Sequence, residues 1–267
     1  MIIAATTLIG QVLAAGNLPE PRLAIIAGLS CFLLAASSFT LNDYVDYEVD
    51  FINTPQRPIP SGRLTRNEAL RYGVCLGILG VAATILLNPV AVIFGLTVYA
   101  LTIFYTLKVK VYGFIGNIIV AFSIASYFLF GYLTISIYID PKIAGISGIC
   151  FFYVLGGEVA QSIADAEGDK LRSVRSISIV RGPKIAAFIA SLCYVLMAVM
   201  GAYTALLFGF RNNRYSLAMV IGTILIFSFI TIPLLRKQDK ESAIITRNRV
   251  NAVAFLIISG IIILLIT

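Results

Sequence analysis

Long apolar stretches recur along almost the whole chain, and they constrain its fold more than any other feature. A helix needs about 20 apolar residues to cross the hydrocarbon core of a bilayer. The strands of a membrane barrel are shorter and alternate between apolar and polar residues, so these stretches favour helices. We therefore predict an all-α, polytopic membrane protein with a single transmembrane domain over residues 1–267. The nine predicted spans are residues 1–17, 22–41, 69–88, 89–107, 112–134, 143–163, 183–209, 215–235 and 250–267.

The composition excludes most other classes of protein. Of the 267 residues, 59% are hydrophobic and 12% are charged, and the mean hydropathy is +0.95. A soluble domain carries about 25% charged residues, so this chain lacks the charge to cover a water-facing surface. The absence of histidine excludes a His-ligated zinc or haem site and a histidine general base. Each of the four cysteines lies in an apolar stretch, which is typical of small buried side chains.

The basic residues predict an orientation in the membrane. With the spans placed as above, 16 of the 20 Lys and Arg residues fall in loops on one side. The positive-inside rule places that side in the cytoplasm, and it also holds the long connections at residues 42–68, 164–182 and 236–249. We therefore expect a multi-pass protein of the cell membrane whose active site faces the cytoplasm. The net charge of +7 is then explained by loops facing anionic lipid, so no nucleic-acid partner is expected.

Four acidic residues are concentrated just after the second predicted span, within residues 42–50. If the second helix continues through this segment, Asp43, Asp46 and Asp50 lie at positions i, i+3 and i+7, which share one face, and Asn42 joins them. Successive carboxylates then lie about 5 Å apart, roughly one helical turn. Because like charges at this spacing destabilise a helix, a bound cation would relieve the repulsion.

A second acidic cluster follows the sixth predicted span, where Asp165 and Asp169 are again four residues apart. Hard oxygen ligands without histidine or cysteine suit Mg2+, which often completes its coordination with the phosphates of a substrate. The alternative is that the acidic residues only mark solvated helix ends. It is the weaker interpretation, because cytoplasmic ends usually carry basic residues. The two clusters together predict a magnesium–diphosphate site.

Basic residues follow both clusters and suit the oxygens of a diphosphate. Two arginines lie in the proline-rich loop after the first cluster, and the arginine fork matches phosphate geometry. Taken singly, each basic residue is explained as an ordinary anchor at the membrane surface. Taken as a group around the acidic clusters, they predict a phosphate clamp. Its candidate members are Arg57, Arg63, Lys108, Lys110 and Arg172.

The two aspartate motifs resemble those of a known family. Residues 42–50 have the form NDxxDxxxD and residues 165–169 have the form DxxxD. Both are similar to motifs of the UbiA superfamily of intramembrane prenyltransferases, as are the loop over residues 57–63 and the nine spans. The resemblance implies helices around a central cavity that opens to the cytoplasm. It also implies that the residues that bind Mg2+ and act in catalysis are Asp43, Asp46, Asp50, Asp165 and Asp169.

The same resemblance implies the substrates and further site residues. A prenyl group would pass from its diphosphate to a lipophilic acceptor in the bilayer. Asn42 would hydrogen bond the diphosphate or a metal-bound water, and Tyr105 and Phe122 would face the allylic carbocation. Asn117, which follows Gly116, is a further candidate for binding substrate. The oligomeric state is left open.

Softer cues favour one branch of the superfamily. The form of residues 165–169 and the stretch over residues 105–110 are similar to the archaeal ether-lipid branch. That likeness implies transfer of a geranylgeranyl group to the free hydroxyl of geranylgeranylglyceryl phosphate. An aromatic acceptor of a quinone, haem or chlorophyll pathway is the main alternative. A cation transporter is a third, although its acidic residues would be expected nearer the membrane midplane.

Three features depart from the family pattern. Relatives often have an Arg and an Asn before the first helix, and this sequence begins after that segment, so we expect either a different start or a pocket without that wall. An acidic residue often precedes the second motif by three positions, where this chain has Ser162. The family's YxxxK spacing is not matched, since Lys108 lies three residues after Tyr105 and Lys110 lies five after it. Either lysine is a candidate for that role.

Overall fold

The computed structural model describes residues 2–171, 173–208, 221–222, 224–246 and 248–253. Every regular element within these residues is helical, which confirms the predicted all-α class. The named α-helices are α1 (Ile2–Ala15), α2 (Pro21–Asn53), α3 (Arg66–Ile85), α4 (Pro89–Phe104), α5 (Phe114–Leu133), α6 (Pro141–Ala164), α7 (Ala166–Leu171), α8 (Ile177–Val180), α9 (Pro183–Phe208) and α10 (Ile232–Arg236). Two π turns (Tyr105–Val109 and Phe227–Thr231) and a 3-10 turn (Lys110–Tyr112) adjoin them, and residues 240–246 and 248–253 are also helical.

Within the described residues, six helices are long and apolar enough to cross a membrane, namely α2, α3, α4 with the turns that follow it, α5, α6 and α9. They correspond to the second to seventh predicted spans. The first predicted span is a shorter helix, the 14-residue α1. The eighth lies partly, and the ninth mostly, outside the described residues. A multi-pass helical membrane protein is therefore confirmed, and the count of nine spans stays a prediction.

The second helix is longer than its apolar stretch predicts. The predicted span ended at residue 41, but α2 continues through the acidic cluster for 33 residues in all. Residues 42–53 contain neither glycine nor proline, and the helix ends at Thr54, which precedes Pro55 and is therefore biased away from helical geometry. At 1.5 Å per residue α2 is about 50 Å long, so it extends well beyond a core of about 30 Å. The predicted connection at residues 164–182 is likewise partly helical, since it contains α7 and α8.

Prolines and polar caps set where the helices begin. Pro21, Pro89 and Pro141 stand at the first positions of α2, α4 and α6, where a missing N–H costs no hydrogen bond. Asn88 caps α4, since its side-chain oxygen accepts a hydrogen bond from the backbone N–H of Ala91 at 3.0 Å. The three residues between α3 and α4 therefore form a tight turn, and the two helices pack side by side.

Small residues let the helices approach closely. A Cβ atom added at Gly10 of α1 would lie 2.1 Å from the carbonyl oxygen of Phe128 in α5, and one at Gly131 would lie 1.9 Å from that of Thr7. Such backbone contact is typical of tightly packed membrane helices. In addition, α2 packs against α3, and α6 packs against both α5 and α9. This arrangement leaves a cavity between α2, α4, α5 and α6.

Candidate active site

The cavity has a volume of about 330 Å³ and reaches the start of the acidic segment of α2 and the C-terminal end of α6. Its walls bring together residues from both acidic clusters and from the turns that follow α4. Eight of the thirteen candidate residues line it, namely Asn42, Asp43, Arg57, Tyr105, Lys110, Asn117, Asp165 and Asp169. The two acidic clusters, which are more than a hundred residues apart in sequence, therefore face one space.

Arg57 neutralises two of the aspartates on α2. Its Nη1 donates to Oδ1 of Asp43 at 2.9 Å and to Oδ2 of Asp50 at 2.8 Å. This bridge confirms that these two aspartates share a face of the helix. Burial alone would lower the pKa of Arg57, but the hydrogen bond to Asp50 and the charge of Asp43 outweigh it and raise that pKa. Arg57 is therefore held as a cation at the cavity wall.

Lys110 reaches the third aspartate from the other side of the cavity. It forms an ion pair with Asp46, whose side chain is 7% exposed, and it donates to the side-chain oxygen of Asn42 at 3.2 Å. Asn42 also donates to Asp46 at 2.8 Å, one helical turn away on α2. The predicted grouping of Asn42 with the aspartates is thus present in the structure.

A π turn determines which lysine enters the cavity. In the turn Tyr105–Val109, the backbone N–H of Lys110 bonds to the carbonyl oxygen of Tyr105, five residues earlier. A π turn accommodates one residue more than an α-helical turn does, so Tyr105 and Lys110 both line the cavity in spite of their wider spacing. Lys108 is exposed and is not among the cavity-lining residues.

The second acidic cluster lies where α6 gives way to α7. Nε2 of Gln161 donates to Oδ2 of Asp165 at 2.9 Å, one turn along the same helix. Burial raises the pKa of Asp169 to about 6, and the nearby Ser176 hydroxyl only partly opposes this. Neither aspartate forms an ion pair with any other residue that the structure describes. Their negative charge is therefore left facing the cavity.

A close backbone contact connects the two halves of the site. Gly113 has φ +59°, and a Cβ atom there would lie 2.0 Å from the carbonyl oxygen of Arg175. The backbone N–H of Arg175 in turn donates to the carbonyl oxygen of Val111 at 3.0 Å. Only glycine fits this position, because it tolerates positive φ and has no side chain. The contact fixes the segment of Ser176 against the turn that carries Lys110.

Arg63 and Phe122, which the sequence analysis also named, lie outside the cavity. Arg63 is exposed and donates to Ser61 at 3.0 Å, so it braces its own loop rather than lining the cavity. Phe122 is 39% exposed and is not among the cavity-lining residues. Arg172 lies outside the described residues.

The structure also adds residues to the site that the sequence analysis did not single out. Gln161 carries a signal, since it stands one helical turn before Asp165. No sequence pattern points to Ser176 or Tyr127. Ser176 reaches the cavity through the path of a loop, and Tyr127 through the rotation of its helix. The sequence does indicate Glu158, which lies seven residues before Asp165 and therefore on the same face of α6.

The donor set around the cavity fits a hard divalent cation. The carboxylates supply oxygen ligands, and the chain has no histidine to offer. Within the described ranges, no three acidic or cysteine side chains are grouped closely enough to hold a metal ion unaided. A cation bound here would therefore complete its shell with water or with substrate phosphates, as Mg2+ commonly does.

Comparison with known sequences identifies the family. The model of the UbiA prenyltransferase family matches residues 3–265. The chain belongs to the UbiA prenyltransferase family. It is 33% identical over 236 residues to the digeranylgeranylglyceryl phosphate synthase of Thermococcus kodakarensis, a match that covers 88% of this chain and 83% of the relative. The synthase of that name from Saccharolobus solfataricus is 32% identical over 242 residues, covering 89% and 82%.

Solved structures of UbiA proteins have the same fold. A digeranylgeranylglyceryl phosphate synthase structure superposes with a TM-score of 0.78 at 25% identity, covering 98% of this chain and 92% of the other. The apo structure of a UbiA homologue from Aeropyrum pernix K1 gives 0.81 at 18% identity, covering 98% and 96%. A UbiA homologue from Archaeoglobus fulgidus, bound to DMAPP and Mg2+, gives 0.67 at 19% identity, covering 97% and 96%.

Proposed function

We propose that this UbiA prenyltransferase transfers a geranylgeranyl group from its diphosphate to the free hydroxyl of geranylgeranylglyceryl phosphate, with Mg2+ as cofactor. The observation that carries the proposal is the convergence of both aspartate clusters, Arg57 and Lys110 on one cavity between membrane-spanning helices. The sequence relatives named digeranylgeranylglyceryl phosphate synthase support the choice of donor and acceptor.

The cations of the cavity bind the diphosphate of the donor. Arg57 and Lys110 stand on two different walls, so together they reach oxygens on both sides of a diphosphate. Asn42 donates a further hydrogen bond, and Gln161 orients Asp165 toward the cavity. When Mg2+ is bound among the aspartates, it neutralises charge on the departing diphosphate.

The prenyl tail of the donor lies against apolar helix faces. An apolar recess adjoins the cavity, because Ser38, Thr102 and Tyr127 line both spaces. Phe94 and Phe130 are among the apolar side chains of the recess. The reacting carbon therefore sits between the polar end of the cavity and this recess. There Tyr105 offers an aromatic face to the developing positive charge.

The site faces the cytoplasm in this proposal. Arg57, Lys110 and Arg175 all lie at one end of the helix bundle, with the acidic clusters. The basic residues near the opposite helix ends include Arg22 and Lys142, which stand at the starts of α2 and α6. The positive-inside rule places the more basic end in the cytoplasm.

A radiolabel assay on the purified protein in detergent tests the function. Labelled geranylgeranyl diphosphate and Mg2+ are supplied with geranylgeranylglyceryl phosphate in one reaction and an aromatic quinone precursor in another. We expect a labelled diether lipid phosphate in the first reaction and none of the aromatic product in the second. A chelator should abolish turnover, and added Mg2+ should restore it.

Two other results would contradict parts of the proposal. Transfer only to the aromatic ring would overturn the acceptor and keep the prenyl transfer. Full turnover in the presence of the chelator would overturn the role of Mg2+. The Asp46→Asn variant is the negative control, since it removes one charge of the site and leaves the side-chain volume nearly unchanged.

A further inference from the structure

Glu158 is an acidic side chain on the cavity wall that the proposed diphosphate site leaves unused. It lies seven residues before Asp165 on α6, which places it about 10 Å further from the cytoplasmic end of that helix. The side chain is half-buried and lines the cavity. An ionisable residue inside a membrane span is costly and usually functional, so Glu158 requires an explanation.

The cavity changes character at the depth of Glu158. Glu158 lies six residues before the end of α6 at Ala164, and Val120 lies six residues after the start of α5 at Phe114. These two neighbouring helices therefore place Val120 at about the same depth as Glu158. Val120, Ser123, Ile124 and Tyr127 line the α5 wall at and beyond this depth, whereas Asn117 lines it nearer the diphosphate end. Beside Glu158 the α5 wall thus changes from an amide to apolar and hydroxyl side chains.

Glu158 differs from the aspartates of the cavity in its contacts. Asp43 is paired with Arg57, and Asp165 accepts from Gln161. Glu158 has no hydrogen bond or ion pair with the described part of the chain, although the charges of Lys110 and Asp165 act on it. Its carboxylate oxygens are therefore available to accept a hydrogen bond from a substrate.

Glu158 lines the space in which the reacting bond lies. With the diphosphate held by Arg57 and Lys110 and the prenyl tail in the apolar recess, the bond that breaks lies in the cavity between them. The acceptor hydroxyl must approach the prenyl carbon there. A carboxylate beside that point is placed to hydrogen bond the hydroxyl and to take its proton.

We propose that Glu158 is the general base of the transfer, an inference that rests on the proposed function. The bond between the prenyl carbon and the diphosphate oxygen breaks, and its electron pair leaves with the diphosphate. The acceptor oxygen forms the new bond to the prenyl carbon, and the hydroxyl proton passes to a carboxylate oxygen of Glu158. Proton transfer by a positioned side chain contributes about 10²–10⁴-fold to a rate.

The test compares Glu158→Gln and Glu158→Asp with the wild-type protein, using geranylgeranyl diphosphate and geranylgeranylglyceryl phosphate with Mg2+. We expect Glu158→Gln to lower kcat about 100-fold or more, and Glu158→Asp to recover part of the loss. Binding of geranylgeranyl S-thiolodiphosphate, a donor analogue that resists ionisation, should stay within about 2-fold because the clamp at Arg57 and Lys110 is intact. Glu48→Gln is the matched control, since Glu48 is exposed on α2 outside the cavity, and it should leave kcat unchanged.

A second assay uses an acceptor with a thiol in place of the free hydroxyl. It distinguishes a general-base role of Glu158 from a purely structural role. A thiol has a pKa near 8.5 and ionises far more readily than an alcohol, so it needs the base less. We expect the deficit of Glu158→Gln to shrink at least about 10-fold with this acceptor. An equal deficit with both acceptors, or wild-type kcat in Glu158→Gln, would overturn the role of Glu158 alone. A wild-type protein that transfers no prenyl group to either acceptor would overturn the proposed function as well.

Discussion

The two acidic clusters face the same cavity but are built in opposite ways. The first lies within the continuous helix α2, and Arg57 and Lys110 supply it with positive charge. The second lies at the break between α6 and α7, where Asp165 is held by the neutral side chain of Gln161. Among the residues described, Asp165 and Asp169 form no ion pair, whereas Glu167 between them pairs with Lys240.

This difference indicates that the two clusters contribute differently to protein stability and to ligand binding. The first cluster needs no bound ligand to balance its buried negative charge, because its buried carboxylates already have charged partners within the protein. Asp165 and Asp169 have no ion-pair partner among the described residues, so we expect their charge to be balanced by what binds in the cavity. We infer that the first cluster contributes to both stability and catalysis, whereas the second contributes to ligand binding at some cost in stability.

The largest expected effect is the loss of turnover when either cluster is damaged. Asp43→Ala and Asp165→Ala should each lower kcat by about 100–1000-fold, because the proposed site uses carboxylates on both sides of the cavity to hold the Mg2+ that neutralises the departing diphosphate. The comparison predicts that Asp165→Ala raises the Mg2+ concentration for half-maximal rate more than Asp43→Ala does, since Arg57 already occupies Asp43. Rates measured across a Mg2+ titration check this, and identical titration curves for the two variants would remove the distinction between the clusters.

The next effect distinguishes the cations inside the cavity from those outside it. Arg57→Met and Lys110→Met should each lower turnover about 100-fold, because they remove a charged contact to diphosphate. Arg63→Met and Lys108→Met are matched controls from the same loop and the same turn, and they should stay within about 2-fold of wild type. The turnover rates of the four variants, measured at saturating Mg2+, check this prediction. A large loss in Lys108→Met would mean that the exposed lysine, not Lys110, binds the substrate.

A smaller effect concerns the free energy of unfolding without substrate or Mg2+. Asp50→Asn should lower it by about 1–2 kcal/mol, because Asp50 is 6% exposed and its loss leaves Arg57 with one partner fewer. Asp165→Asn should leave it unchanged or raise it, because that substitution relieves uncompensated negative charge. Chemical unfolding in detergent, followed by circular dichroism at 222 nm, measures both. Equal destabilisation by the two variants would show that the second cluster is also neutralised within the protein.

The smallest expected effect concerns the neutral support of the second cluster. Gln161→Leu removes the hydrogen bond to Asp165 and should lower turnover several-fold, roughly what one net hydrogen bond contributes. Gln161→Glu should cost more, because it adds a third negative charge beside Asp165 and Asp169. The ratio of the turnover rates of the two variants checks this electrostatic role. If the role of Gln161 were purely steric, Gln161→Glu would be the milder change, because Glu and Gln have nearly the same shape.

Much of the architecture follows from the sequence because the apolar stretches and aspartate spacing are local signals. The family prediction is confirmed, and six of the predicted spans coincide with long apolar helices. The predicted second span stops at residue 41 while α2 continues to Asn53, because apolarity marks the part of a helix inside the bilayer and not the whole helix. The continuation of α2 depends instead on a segment without helix breakers and on Arg57, which neutralises Asp43 and Asp50.

The parts of the site that escaped the sequence analysis depend on the path of the chain between helices. Ser176 enters the cavity because Gly113 and Arg175 are in backbone contact, and no local pattern encodes that contact. The choice between Lys108 and Lys110 depends on the pitch of a single turn, which spacing alone does not reveal. The outer position of Arg63 depends on hydrogen bonds within its own loop.

The π turn at Tyr105–Val109 has an evolutionary consequence. Loss of one codon between Tyr105 and Lys110 would let an α-helical turn replace the π turn, and residues four apart in an α-helix also share a face. The length of this segment is therefore free to drift by one residue among descendants while the site stays intact. Motif searches that require one fixed spacing between the tyrosine and the lysine will miss homologues whose turn differs in length by one residue. Searches that allow both spacings will find them.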